Sequence, residues 1–411
     1  MSLLYSLADP AAWEKFYAYK TSLACPKIFA KELRSFIDDR AYLPVLRHMA
    51  SGEPFPLPRK AVISKLSTQK KRIIYIYPDS ENIVLKFLTY LLLRRFDGIF
   101  ADNLYSFRPG RSAKDAFRSL LRVPGISQMS SYKADVHNYF NSIPVNRLLP
   151  MLAEVTADDT ELFTFLRGLL EEPRVLYEGE EIAEEKGIMA GTPLASFYAN
   201  LYLKDLDEWF RNMKVPYARY SDDMILFGRT REETEAYARL VRRHLSEKGL
   251  AINPDKEEFR PPEEGFVFLG FSQKEGVVDI APASVKKMKQ KMRRKARALR
   301  RWSLRNGTEG EAAAKAFIRV FNRKLFEGAK DSDLTWRQWF FSVINTDKSL
   351  REIDHYAQEC VRFLMSGKHT KGRFNVRYED IQKLGCKNLV HEYYAYHKKT
   401  EEKSLSPVSD A

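Results

Sequence analysis

The chain has 411 residues, 44% hydrophobic and 30% charged, with 68 Lys and Arg against 54 Asp and Glu, a formal net charge of +14. That length accommodates two or three domains around a large core, and the composition excludes wholesale disorder. Three cysteines, Cys25, Cys360 and Cys386, stand far apart; this excludes a disulfide scaffold or a cysteine-rich zinc site and fits a reducing compartment.

Residues 1–50 carry apolar positions at helical spacing and few turn residues, so they predict helices. Asp9 and Glu14 come too early there for a signal peptide to form. The Pro-rich run GEPFPLPRK (52–60) breaks this segment. Residues 61–78 alternate as strands, with KKR (70–72) between them. A helix is predicted over 80–96, with Asp79 and Ser80 as caps. Its apolar run, 83–93, is interrupted by Lys86 and is too short to span a bilayer. We therefore expect a cytoplasmic protein with no membrane partner. After the turn FRPGRS comes a helix over 112–121, then YKADVHNYF (132–140) as a strand running into a turn. Residues 146–173 predict helix, VLYEGEEI (175–182) a hairpin, and 193–212 one long helix. In VPYARYSDDMILFGRT (215–230) two β-rich runs flank a polar pair, the pattern of a hairpin with Ser221-Asp222-Asp223 at its tip. A helix over 231–248, a short strand and FVFLGF (266–271) close this part. Strands and helices alternate without a regular βαβ period, which argues for an α+β fold.

From residue 283 the composition shifts. Val285, Met288, Met292, Ala296, Leu299 and Trp302 recur at three- and four-residue spacing, the apolar face of a helix. The other face carries Lys286, Lys287, Arg293, Arg294, Lys295, Arg297 and Arg301 among its cations, and no acid occurs between Asp279 and Glu309. Residues 276–411 hold 29 basic and 16 acidic residues, hence +13 of the chain's +14. A solvated helix face mixes signs. An unmixed basic one suits nucleic-acid phosphates, because binding them releases condensed counterions. Tyr378, Tyr393, Tyr394 and Tyr396 interleave with Lys and Arg farther on; they read equally as base-stacking platforms or as helical core. His355, His369, His391 and His397 lack paired ligand spacing and read as structural or surface residues.

The chemistry rests on acids in β context. Asp135 ends the strand YKAD, and Asp222 and Asp223 sit at the hairpin tip. Alone, an Asp-Asp pair is ordinary turn chemistry. Preceded by Tyr220-Ser221, followed by Met-Ile-Leu-Phe and matched by a second strand acid upstream, it reads as a cation site, because carboxylates on strands need compensation. Mg²⁺ takes carboxylate oxygens together with substrate phosphates, and two such ions can drive an in-line phosphoryl displacement.

These residues carry a resemblance. ARYSDDMILFG resembles the Y-x-D-D box of reverse transcriptases, and KADVHNYFNSI their first palm motif. GIMAGTPLASFYANLYL resembles the segment that lies against template and nucleotide, and KRIIYIYPDSENIVLKFL and LYSFRPGRSAKDA resemble finger motifs of prokaryotic, group II intron-like enzymes. GLAINPDKEEF and FVFLGF are similar to the last palm motif and the primer grip. The run from 349 to 399 resembles the end of unknown-group, defence-associated reverse transcriptases. The resemblance implies a right hand: N-terminal helices and fingers over 1–125, palm over 126–275, and a thumb with a basic helical C-terminal region over 276–411. It also implies that Asp135, Asp222 and Asp223, with the carbonyl of Val136, hold two Mg²⁺ ions, Mn²⁺ being an alternative. Phe140 matches the gate against a ribose 2′-hydroxyl. Lys71, Arg72, Arg108 and Arg111 match positions that neutralise the triphosphate, although Arg108 and Arg111 read almost as well as structural turn residues. Gly191, Thr192 and Pro193 match positions shaping the nucleotide pocket. Lys256 matches a general acid for pyrophosphate, or is a surface lysine. Two positions depart from the family pattern: Met189-Ala190-Gly191 replaces the usual Gln before the third motif's glycine, and Ser221 replaces the usual Ala.

The implied function is an RNA-directed DNA polymerase that copies a dedicated structured non-coding RNA into cDNA from deoxynucleoside triphosphates, in antiphage defence, with homo-oligomerisation left open. The alternatives are the polymerase of a diversity-generating element and an idle, maturase-like RNA-binding factor. Phe140 disfavours an RNA-dependent RNA polymerase.

Overall fold

Helical spacing in the first 50 residues produces the helices Pro10–Ser22, Lys27–Asp38 and Tyr42–Ser51, which converge on Trp13. Its buried ring lies 4.9 Å from that of Tyr42 and 4.2 Å from that of Phe87, so large aromatic area is removed from water at one point. Phe87 belongs to the helix Asp79–Arg95. Asp79 and Ser80 do not cap it. Pro78 holds the N-cap position without a side-chain hydrogen bond, and Asp79 and Glu81 lie in the first turn, where the helix dipole favours negative charge. The computed structural model describes residues 2–22, 25–64, 71–184, 187–327, 334–368 and 370–405. Lys70 of the KKR run and His369 lie outside them.

Among the described residues, eleven strands form three sheets. In chain order they are β1 (Arg59–Ser64), β2 (Lys71–Ile76), β3 (Ser130–Asp135), β4 (Arg174–Tyr177), β5 (Glu180–Ala183), β6 (Tyr217–Tyr220), β7 (Asp223–Gly228), β8 (Glu258–Arg260), β9 (Phe266–Phe268), β10 (Phe271–Lys274) and β11 (Val277–Ile280). One sheet has the order β2-β1-β4-β5, a second β6-β7-β3-β8 and a third β11-β10-β9. Helices and strands mix irregularly, giving the α+β class. The run FVFLGF is two strands, because Leu269 and Gly270 both take positive φ (49° and 88°) and turn the chain between Phe268 and Phe271.

Two stretches expected to be helical each hold two helices. Residues 146–173 form Val145–Val155 and Thr160–Glu171; Asp159 accepts from the Leu162 N–H (3.1 Å) and starts a new helix. Residues 193–212 form Ala195–Tyr202, buried along nearly its whole length, and Lys204–Asn212, which buries only Leu206, Asp207 and Phe210. Leu203, at φ −109°, separates the two burial patterns.

The chain divides into two compact units, Met1–Pro262 and Glu263–Ala411. The second contains β9–β11 and the helix Pro282–Arg305, which packs against Gly310–Asn322 and Lys348–Ser366. Val285, Met288, Met292 and Ala296 are buried, as the periodicity requires. Trp302 is instead 40% exposed. Over a 24-residue helix the stripe drifts, and Ser303 turns inward, donating to the Thr308 carbonyl (2.7 Å). Among the described residues no helix is long and apolar enough to cross a membrane.

Candidate active site

The acids are assembled by strand register. Tyr220 pairs with Asp223 across the β6–β7 hairpin, so its loop is the two residues Ser221 and Asp222, with Ser221 in the left-handed region at φ 61°. Asp223 is thus the first residue of β7 and sits just inside the tip. β7 pairs antiparallel with β3, which sets Asp223 opposite Asp135, while the Val136 N–H donates to the Asp222 carbonyl (3.0 Å). Carboxylate oxygens of Asp135, Asp222 and Asp223 consequently lie within 4.8 Å of one another, Asp135 buried and the other two half-buried. Burial, then the neighbouring Asp135, raises the Asp222 carboxyl. Burial together with Asp222 and Asp135 pushes Asp223 up to about 6. Lys256 reaches this cluster from the 254–256 turn: its Nζ lies 2.5 Å from Asp135 Oδ2. Partial burial opposes the Lys256 charge, but the hydrogen bond and charge of Asp135 outweigh it and raise its pKa. One ammonium faces three carboxylates, and an all-oxygen donor set of this kind suits a hard divalent cation.

Beneath the turn lies a network that sequence reasoning missed. Arg219 and Asp207 are both fully buried; Arg219 Nε and Nη2 reach the Asp207 oxygens at 2.8 and 2.5 Å. The Tyr217 hydroxyl donates to Asp207 (3.0 Å), and Arg219 also donates to the carbonyls of Asn200 and Ser221 (3.2 Å each). The Ser221 N–H donates to Ser106 Oγ (2.9 Å), which in turn donates to Asn200 Oδ1 (3.1 Å). Both peptide groups flanking the strained Ser221 are thereby held. One signal was available: Tyr217 and Arg219 stand at strand period two, so an inward Tyr implies an inward Arg that needs an acid.

The GIMAGTP loop is pinned to the same unit. The Ile188 N–H donates to the Phe140 carbonyl and the Ala190 N–H to Asn141 Oδ1, both at 2.9 Å. Gly187 is required there, since a Cβ would stand 2.4 Å from the Phe140 carbonyl oxygen. The close approach that Gly191 permits is to β2: at φ 100°, its Cβ would meet Ile74 at 3.1 Å and the Tyr75 carbonyl at 3.2 Å. Its positive φ and the approach of β2 both call for glycine. Thr192 turns its hydroxyl to the Met189 carbonyl (2.9 Å), and Pro193 and Phe140 are half-buried, Phe140 against the core. Met189 packs on Tyr75 and Val175.

Among the expected phosphate contacts, Lys71 and Arg72 are exposed at the start of β2. Arg108 is a correction. It is 7% exposed, and its guanidinium is committed to Asp97 (2.8 Å) and to the carbonyls of Asp97, Ala101 and Leu104. It clamps the 97–108 turn and leaves no donor for a triphosphate. Arg111 donates to the Asp102 carbonyl and stays half-exposed.

In the second unit, Lys286, Lys287, Arg293, Arg294, Arg297 and Arg301 are exposed on the Pro282–Arg305 helix and Lys295 half-exposed. Of the tyrosines, Tyr393 is core: it is 6% exposed and donates to the Ile344 carbonyl (3.0 Å). Tyr378 and Tyr394 are exposed.

A family model described as "Reverse transcriptase (RNA-dependent DNA polymerase)" matches residues 60–273, just over half of the chain. The "Uncharacterized 91 kDa protein in cob intron" of Schizosaccharomyces pombe is 26% identical over 179 residues, covering 41% of this chain and 21% of that protein. The "Group II intron-encoded protein LtrA" of Lactococcus lactis subsp. cremoris is 23% identical over 186 residues, 44% of this chain and 30% of that one. The chain thus spans between a fifth and a third of the length of these curated relatives. Telomerase from Candida albicans, solved with a fragment of telomeric RNA, aligns over 86% of this chain and 71% of its own at 12% identity and a TM-score of 0.43.

Proposed function

Because the chain belongs to the reverse transcriptase (RNA-dependent DNA polymerase) family, we propose that it extends a DNA strand on an RNA template at Asp135, Asp222 and Asp223. The observation that carries this reading is the convergence of three carboxylates within 4.8 Å on a strand and an adjoining tight turn. In the family's right-hand polymerase fold we assign fingers to 1–125, palm to 126–275 and thumb to 276–411. The acids, with the Val136 carbonyl, would hold two Mg²⁺ ions, or Mn²⁺ in their place. When bound, such ions favour the 3′-alkoxide and offset charge on the triphosphate.

The chain's own residues do the rest. The 3′-oxygen bonds to the α-phosphorus as the bond to the pyrophosphate oxygen breaks. Lys256, beside Asp135, is positioned to give that oxygen a proton. To Phe140 we assign the gate against a ribose 2′-hydroxyl, and to Lys71 and Arg72 the contact with the triphosphate. The exposed cations of the Pro282–Arg305 helix take up template phosphates. We extend the proposal to a dedicated structured RNA as template, cDNA as product, and a role in antiphage defence in the bacterial cytoplasm.

The test is primer extension by the full chain on an RNA template with Mg²⁺ and labelled deoxynucleotides. Incorporation is expected to favour deoxynucleotides over ribonucleotides and to vanish in Asp222→Asn/Asp223→Asn. Incorporation that survives in that variant would overturn the assignment. Sequencing RNA and cDNA that co-purify with the protein tests the dedicated template; a random mixture of transcripts would exclude it.

A further inference from the structure

The second unit contains a pocket of about 260 Å³ between the helices Pro282–Arg305 and Lys348–Ser366. Its lining combines two chemistries. Ala296, Tyr356, Cys360 and Phe363 supply apolar and aromatic surface, and Arg293, Arg297 and Arg373 supply guanidinium groups. The acid in the lining, Glu359, is already engaged by Arg362 (3.0 Å) and Arg373 (2.6 Å). Arg293 and Arg297 are one helical turn apart, exposed, and without an ion-pair partner among the described residues. Lys289, paired with Glu352 (2.8 Å), sets its ammonium 5.1 Å from the Tyr356 ring centroid at the pocket's side.

Arg293 and Arg297 thus present two guanidinium groups, with no ion pair among the described residues, beside an aromatic wall. The volume is just under the ~300–1,000 Å³ range of small-molecule sites, a fit for one flat ring system with a small appendage. Flat aromatic rings stack on Tyr and Phe, while phosphates take Arg. An acidic peptide would satisfy the arginines but leave the aromatic wall unused.

We propose that this pocket binds a single nucleotide unit, with its base against Tyr356 and Phe363 and its phosphate on Arg293 and Arg297. The inference rests on reading the basic helix as an RNA contact, and it adds that the contact captures an unpaired base. A bulged or looped-out residue of a bound strand and a free mononucleotide share this chemistry.

Equilibrium binding of the full chain, without metal or deoxynucleotides, tests the pocket and separates the two sources. The probes are an RNA hairpin with a single bulged 2-aminopurine, the same hairpin with an abasic bulge, and free adenosine 5′-monophosphate. The base-bearing hairpin is expected to bind about tenfold tighter than the abasic one, with quenched fluorescence. Tyr356→Ala should remove that preference and Tyr356→Phe should keep it. Arg293→Gln/Arg297→Gln, at exposed positions, should weaken both hairpins and flatten the salt dependence. Displacement of the bulged base by the monophosphate supports the pocket and assigns it to free nucleotide as well; failure to displace assigns it to strand-borne bases. Equal affinity for the two hairpins in the unaltered protein, with no monophosphate binding, overturns the pocket, as does a preference that survives Tyr356→Ala. Primer extension on the same preparation keeps the failures apart. Incorporation without base preference sinks the pocket alone, whereas loss of all RNA binding sinks the reading of the basic helix.

Discussion

The tip of the β3–β7 pair and the Pro282–Arg305 helix both concentrate charge of one sign, by opposite means. The acids come from positions about 90 residues apart, meet within 4.8 Å and are partly buried. Repulsion and lost solvation work against them, and a buried network must hold the turn that carries them. The cations lie along one helix on an exposed face, where water and salt screen their repulsion. The first arrangement defines atomic positions and suits chemistry. The second defines a field and suits a long, flexible polyanion.

The sharpest way to break this division is to remove the acids. Asp222→Asn/Asp223→Asn, or removal of divalent ions by a chelator, should lower deoxynucleotide incorporation at least about a thousandfold. RNA affinity should stay within about twofold, because phosphate contacts made elsewhere supply it. If affinity falls as steeply as incorporation, the acid cluster is part of the RNA grip and the contrast collapses.

Next in size is the clamp under the turn. Arg219→Ala leaves Asp207 buried without its cation, and should destabilise the first unit by about 3–5 kcal/mol in denaturant titration. Arg219→Lys should recover part of that stability but not activity, since one ammonium cannot serve Asp207 and the Ser221 carbonyl together. Full activity in the Lys variant would show that the turn needs no guanidinium.

The basic helix should respond in a graded way. Replacing Arg293, Arg294, Lys295 and Arg297 by Ala should make the slope of log affinity against log salt shallower by about 3–4. An unchanged slope would return the helix to an ordinary solvated face.

The smallest effect probes a buried acid of the second unit. Asp354 accepts from the N–H groups of Leu389 and Val390 at the start of the helix Leu389–Leu405 (2.8 and 3.0 Å), yet burial pushes its carboxyl up to about 6. The folded chain holds this proton more tightly than the unfolded one. Its contribution to stability is therefore complete below about pH 4 and is lost as pH rises through about 6. The stability of Asp354→Asn relative to the unaltered chain should rise by about 2–3 kcal/mol between pH 4 and pH 8. A flat difference would mean that the two backbone donors, not burial, govern this carboxyl.

Local patterns made much of this protein legible from its sequence. The hairpin around Ser221-Asp222 follows from two β-rich runs flanking polar residues, and the helix at 282–305 from its apolar period and unmixed charge. Each is written in neighbouring residues, because strand and helix periods depend only on chain geometry. The third-sheet hairpin at Leu269-Gly270 was hidden, since an apolar run says nothing about where it turns. Tertiary structure alone decided the pairings. The β3–β7 register set Asp135 against Asp223, and Asp97 took the guanidinium of Arg108 that the finger motif assigned to a triphosphate. Asp207 took Arg219, the approach of β2 demanded glycine at 191, and the drift of a long helix put Ser303 rather than Trp302 inside. These outcomes depend on which distant backbone arrives beside a residue, and chain-local periodicity carries no record of that encounter.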